Sequence, residues 1–315
     1  MSGYFKGTSG SLLGHRMLNA AALASLVGSI VVLVLFATDS RELLGVSVWE
    51  KPLKFLISAT FYATTFSWLY TFVEKGKGLA SKMGNVIALM LIVELVVIVG
   101  MASVGSTSHF NVSTPFNIAI WSLMATAISI VWLATFSLST GLWNSQIMSA
   151  DLRLAVRWSI GLGLAGMGIA FTMTPPQPQQ VLPENWAGIA GAHTVGAADG
   201  GPGLPFLGWS TQAGDLRISH FLGLHALQVL PLIAVVSSIL VTNYFVRRAI
   251  IMGAGVAYAL LIAFTYVQAL LGETIVQPST LIFLGIILIV GMLSTGFSLF
   301  RSRKDETLKT RARVS

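Results

Sequence analysis

The chain has 315 residues, of which 54% are hydrophobic and only 10% charged, and its mean hydropathy is +0.78. Soluble domains carry about 25% charged residues, so this composition excludes a water-soluble globule and makes lipid the solvent. The zero cysteine count removes disulfides, iron–sulfur clusters, thiolate-held metals and cysteine nucleophiles.

A bilayer span needs about 20 mostly apolar residues. Eight stretches qualify, at 17–37, 52–72, 84–104, 117–139, 157–173, 219–241, 250–271 and 279–300. Backbone groups in hydrocarbon must bond internally, and no alternating strand pattern is present. The predicted fold is therefore an all-α polytopic helix bundle, one transmembrane domain over 1–315. The first stretch is longer than the apolar core of a secretory signal and is read as a retained span. With the N-terminus inside, 15 of the 19 Lys and Arg residues fall on the cytoplasmic side. That bias places both termini in the cytoplasm of a cell inner (plasma) membrane. It also accounts for the +7 net charge without nucleic acid as a partner. The basic tail at 301–315 is read as a stop-transfer anchor.

Polar groups inside such a chain need a reason. At the start of the second span, "WEKPLKF" puts Lys51 and Lys54 on one helix face, where outer cations are otherwise scarce. Glu94, in "IVELVV", is the deepest ionisable group and costs about 2.5–3.5 kcal/mol to insert unless it is paired or protonated. His109 follows in "STSHFNVSTPFN", a loop leading into a capped, Pro-started helix. The glycines of "GLGLAGMG" at 161–168 read as close helix packing. Residues 174–218 form one long outer loop with Trp186, His193 and Trp209, predicted to be a folded lid.

That loop ends in "GDLRISHFLGLHALQVLP". At 100° per residue, Arg217, His220, His225 and Gln228 lie within an arc of about 140°, so they form one polar wall. His220 and His225 are themselves about 140° and about 7.5 Å apart, too far around the helix to hold one ion together. Glu273, with Gln268 and Tyr266, extends a polar strip near the outer surface. The spans divide into two groups of four in the same orientation. Each group has its main outer loop, ending in a charged stretch, after its first helix. No GxxxxGK[ST], HExxH or GxSxG motif is present.

The strings "KPLKF", "SHFNVSTPF", "GPGLPFLGWST" and "GDLRISHFLGLHALQ" run across most of the chain. On them the sequence resembles a family of bacterial eight-span integral membrane proteins, a resemblance that implies architecture and no activity. The architecture is also similar to that of haem A synthases. Those have two four-helix halves and a Gly/Trp loop leading to a helix-start histidine, matched here by Trp209 and His220. Their paired histidines on the second and fourth helix of each half have no match on the second, fourth or eighth span.

The residues thus point to an oxidoreductase-type membrane enzyme with a site in the outer leaflet. Glu94, Arg217 and Glu273 are the catalytic candidates. His220, His225, Gln228 and Lys54 are the cofactor-binding candidates, with Arg217 and Lys54 expected to hold an anionic group. His109, His193 and His225 are the metal candidates, His225 being the preferred ligand. Imidazole suits haem, iron, copper or zinc, and a quinone or other small molecule is an expected partner beside the lipid bilayer. The alternatives are a proton-coupled transporter using Glu94, and a non-catalytic assembly or sensor subunit using the loop.

Overall fold

The computed structural model describes residues 14–314, and side chains for these except at 179, 185 and 302–314. Eight long helices follow in order: α1 (Arg16–Thr38), α2 (Glu50–Tyr70), α3 (Lys77–Ser103), α4 (Pro115–Thr140), α5 (Ala150–Ile169), α6 (Leu216–Leu240), α7 (Tyr244–Leu270) and α8 (Pro278–Val314). Two small antiparallel hairpins lie between them. One pairs β1 (Glu42–Leu43) with β2 (Val46–Ser47), and the other pairs β3 (Thr194–Val195) with β4 (Gly214–Asp215).

Seven of the helices are long and apolar enough to cross a membrane. The eighth, α2, has 21 residues, a length of about 31 Å, but Glu50, Lys51 and Lys54 in its first turns lower its apolarity. The chain is thus compatible with an integral membrane protein. Helix boundaries follow the sequence-read spans, with three early starts. α3 begins at Lys77, α5 at Ala150 and α7 at Tyr244, ahead of the expected 84, 157 and 250, because first turns carrying charged residues stand beyond the apolar stretch. The tail expected to be a basic anchor continues α8 as helix to Val314; its side chains lie outside the described residues.

Helix ends are closed by side chains. His15 caps α1, accepting from Leu18 N at 3.2 Å while its Nε2 meets Ser81 O at 3.0 Å. Thr114, Ser149, Asp215 and Asn243 cap α4, α5, α6 and α7. α6 continues through Pro231 to Leu240.

The helices pack as two groups of four with one shared scheme. In the first, α1 lies on α2, α3 on α4, and α3 also touches α1 and α2. In the second, α5 lies on α6, α7 on α8, and α7 also touches α5 and α6. Contacts between the groups are much sparser and concentrate at α4–α5 and α2–α6. The repeat reaches individual residues. Counted from the start of α2 and α6, Lys51, Lys54, Phe55 and Leu56 take the places of Arg217, His220, Phe221 and Leu222.

One end of the bundle carries the loops 39–49, 104–114, 174–215 and 271–277, and will be called the loop end. At the opposite end the two groups fuse. Tyr62, Phe66, Leu69, Phe72, Leu138, Leu152, Leu227 and Ala234 form one core, and Arg247 Nε reaches the buried Asp151 at 2.8 Å to tie α7 to α5.

The contact of α5 with α6 uses the glycines read as packing residues. A Cβ on Gly223 would stand 2.3 Å from Gly166 Cα, and one on Gly163 2.8 Å from Leu227 Cγ. Gly223→Val should therefore cost about 1–3 kcal/mol or more, whereas Gly161→Ala, which meets nothing within 4 Å, should leave stability unchanged. Thermal unfolding of the detergent-purified protein checks this; equal midpoints for the two variants would contradict the packing.

Candidate functional site

Above the fused core the two halves diverge and enclose a cavity of about 1510 Å³, larger than the roughly 300–1,000 Å³ of typical small-molecule sites. Its walls are α2, α3, α4, the end of α5, and α6, and its roof is the 174–215 loop. The lining is mostly apolar, with Phe55, Phe61, Trp121, Ile128, Trp132, Phe171 and Leu224 among it. Among the described residues, none of α1, α7 or α8 contributes.

The roof is folded, as the loop's composition predicts. Two 3-10 turns (Pro178–Val181 and Pro183–Asn185), the β3–β4 hairpin and a bridge between Asn111 and Ile189 give it structure. It ends at Asp215, where α6 begins, slightly before the boundary expected from sequence.

Two cations fasten this roof. Lys54 Nζ donates to the carbonyls of Phe206 (3.1 Å) and Leu207 (3.2 Å) and pairs with Glu50 at 2.7 Å. Arg217 donates to Gly208 O and is held by Asp215, whose side chain is fully buried, at 2.6 Å. Asp215 also accepts from Ser210 N at 2.8 Å. Lys54 and Arg217, expected to hold an anionic group, thus each have a carboxylate partner and bind backbone carbonyls of the roof. The cation without a carboxylate within salt-bridge distance is Lys51. Its Nζ donates to His109 Nδ1 at 3.0 Å, and its field reaches Glu94.

Below the roof stand the histidines. His109 lies among Phe55, Phe110 and Trp121. Burial and the neighbouring Lys51 charge hold its pKa well below the usual value, and its Nδ1 also meets Ser108 Oγ at 3.0 Å. His193 donates from Nδ1 to Asp199 at 2.8 Å. Burial alone would raise the pKa of Asp199. The His193 ring and the backbone N–H groups of His193 and Thr194 outweigh it, and the carboxyl stays well below its ordinary range. His220 uses Nδ1 on the carbonyl of Gly166 at 2.8 Å. In both rings Nε2 is left as the uncommitted atom. His225 packs on Phe221 of its own helix at 4.2 Å.

Deeper in the cavity two side-chain oxygens stand alone. Glu94 is only 6% exposed, and its Oε1 has no hydrogen-bond partner. Gln228 gives its Nε2 to Thr65 Oγ1 across the two halves at 3.0 Å, leaving Oε1 unpaired. Buried polar atoms are nearly always satisfied; these two face the cavity without a protein partner, as Ser139 Oγ and Ser145 Oγ do away from it.

The cavity therefore brings together Lys54, Glu94, His109, His193, Arg217, His220, His225 and Gln228. It leaves out Glu273, which is exposed beyond α7 and accepts from Gln277 Nε2 at 2.7 Å. Its expected companion Gln268 turns instead to Thr280 and Thr274. Nor do His109, His193 and His225 converge. Among the described residues no group of three or more His, Asp or Glu side chains is placed to hold a metal ion. Asp199 and Tyr62 were not foreseen. An Asp six residues after a histidine in a glycine-rich loop is a faint signal for the first. A tyrosine in an apolar helix gives none for the second, which bonds Thr135 and approaches Met167 of α5.

No known protein family, curated protein or solved structure matches the chain.

The roof fastening is directly testable. Removing one partner of a buried ion pair costs about 3–5 kcal/mol, so Asp215→Ala should release the roof. Hydrogen exchange over 200–213 should accelerate by tenfold or more, since about 1.4 kcal/mol suffices for each factor of ten. Unchanged exchange there would show that Arg217 and Asp215 do not hold it.

Proposed function

We propose that this is a membrane enzyme of oxidoreductase type that holds a haem, a quinone or a comparable amphipathic molecule between its two halves. The observation that carries this reading is His220 in the cavity wall. Its Nδ1 is committed to Gly166 O at 2.8 Å, which fixes the tautomer and turns Nε2 into the available lone pair, as ligating histidines are held. His193, anchored on Asp199, is prepared in the same way. Lys51 and His109 would meet an oxygen-bearing head, and Glu94 would hold or pass a proton beside it. One protein imidazole is enough for a haem, so the lack of a three-residue metal cluster does not bear against it. With 15 of 19 basic residues at the end carrying both termini, that end is assigned to the cytoplasm of the inner membrane and the roof to the opposite face.

The test is the absorbance of the detergent-purified protein, oxidised and reduced, with metal analysis and solvent extraction. A haem or a quinone near one per chain is expected, and His220→Ala should shift or abolish a haem spectrum. A featureless spectrum with no stoichiometric metal and no extractable quinone would contradict the proposal.

A proton-coupled transporter is the second reading, favoured by the unpartnered Glu94 Oε1 between two like-oriented halves. Parallel repeats around a central site are a transporter plan. In proteoliposomes, Glu94→Gln should then abolish a proton-dependent flux that the unaltered protein shows; no Glu94-dependent flux of any ion or organic acid argues against it.

A further inference from the structure

Three of the cavity's boundaries are backed by packed structure. The roof is pinned by Lys54 and Arg217, and at Gly200 it lies so near the β1–β2 hairpin that an added Cβ would stand 3.3 Å from Leu44 Cβ. The floor is the fused apolar core. The α3 wall is backed by the packing of α1 and α2. The fourth boundary is the seam between α4 and α5, where contact is also sparse and Trp132 Nε1 donates to Leu164 O at 3.1 Å.

The fifth boundary is the seam between α2 and α6. These helices are bonded at depth by Thr65 and Gln228 and otherwise touch sparsely. Around α2, Phe61 lies about 40° and Ile57 about 80° from Thr65. Around α6, Phe221 lies about 20° and His225 about 60° from Gln228. All four therefore sit near the edges that face the seam, and all four line the cavity. Ile57, Phe61 and Phe221 are 37%, 55% and 38% exposed, and among the described residues no third helix packs against both α2 and α6 to cover the seam.

We propose that the α2–α6 seam is a lateral portal, and that the ligand is a membrane-borne amphiphile entering through it from the bilayer. The portal is apolar, so it admits a hydrocarbon body and opposes a hydrated ion. The interior then asks for an oxygen-bearing head: Lys51 offers a donor, while Glu94 Oε1 and Gln228 Oε1 are unpaired. A lipid-soluble molecule bearing carbonyl or hydroxyl groups on a long apolar body has both features. This rests on the reading of the cavity as a ligand site and adds the ligand's source and route.

The cysteine-free chain makes the test direct. Ser58→Cys puts one thiol on the cavity face of α2, in protein reconstituted into phosphatidylcholine–phosphatidylglycerol vesicles. A bilayer-partitioning pyrene maleimide should label it, and a charged sulfonatoethyl methanethiosulfonate, added on both sides, should not. Adding Ile57→Trp and Phe61→Trp should slow the maleimide by about tenfold or more. Leu232→Trp, on the lipid-exposed face of α6, should leave the rate unchanged. Labelling by the charged reagent as fast as by the maleimide, or a plugged variant that reacts at the original rate, would overturn the portal. Labelling reads access whether or not haem, quinone or flux is found, so its failure is separable from failure of the oxidoreductase reading.

Discussion

Hydrocarbon offers no hydrogen bonds, and for helices apolar enough to cross a membrane that constraint bears on each polar side chain buried between them. Backbone groups are satisfied within helices, but Glu94, Gln228 and the histidines have no such internal remedy. They need protein, water or ligand, and the gap between two four-helix halves supplies the room. The same rule explains why α2 is the one described helix that falls short of a span's apolarity. It forms one wall of that gap, so a polar stripe costs it little, while α1 and the Pro278–Arg301 part of α8, which line nothing, read as nearly uninterrupted hydrocarbon.

The charged groups at the loop end divide into two kinds of work. Asp215, Glu50, Arg217 and Lys54 neutralise one another while reaching the backbone of residues 206–208. They fix a roof, and most of their bonding capacity goes to it. Lys51, Glu94 and Gln228 are the incompletely paired ones. That difference separates scaffold from site more sharply than residue type does. It is also why Lys51, at the place Arg217 holds in the second half, has a different part to play.

Much of this was legible in the sequence. Eight apolar stretches located the eight described helices, though α3, α5 and α7 start six or seven residues earlier and α8 runs on to Val314. Arg217, His220, His225 and Gln228 all line the cavity. The glycines at 163 and 166 do pack against α6. Other features depend on partners that spacing along one helix does not reveal. Arg217 and Lys54 looked like free cations because the carbonyls they bind, at 206–208, come from a loop whose path has no periodicity. Glu273 looked like part of a strip because helical phase says nothing about whether α7 borders the cavity. The kinship of the halves was visible as topology. At residue level it rests on short matches, Lys51 with Arg217 and Phe55 with Phe221, too few to stand out without the structural register.

The account stands on the claim that the space between the halves is a ligand site, and the intact mass of the protein released from its native membrane tests that most directly. One amphiphile retained per chain is predicted, with weakened retention when Leu224→Trp intrudes from the wall that Leu224 lines. A bare chain, or an adduct that the intruding ring leaves undiminished, would contradict it.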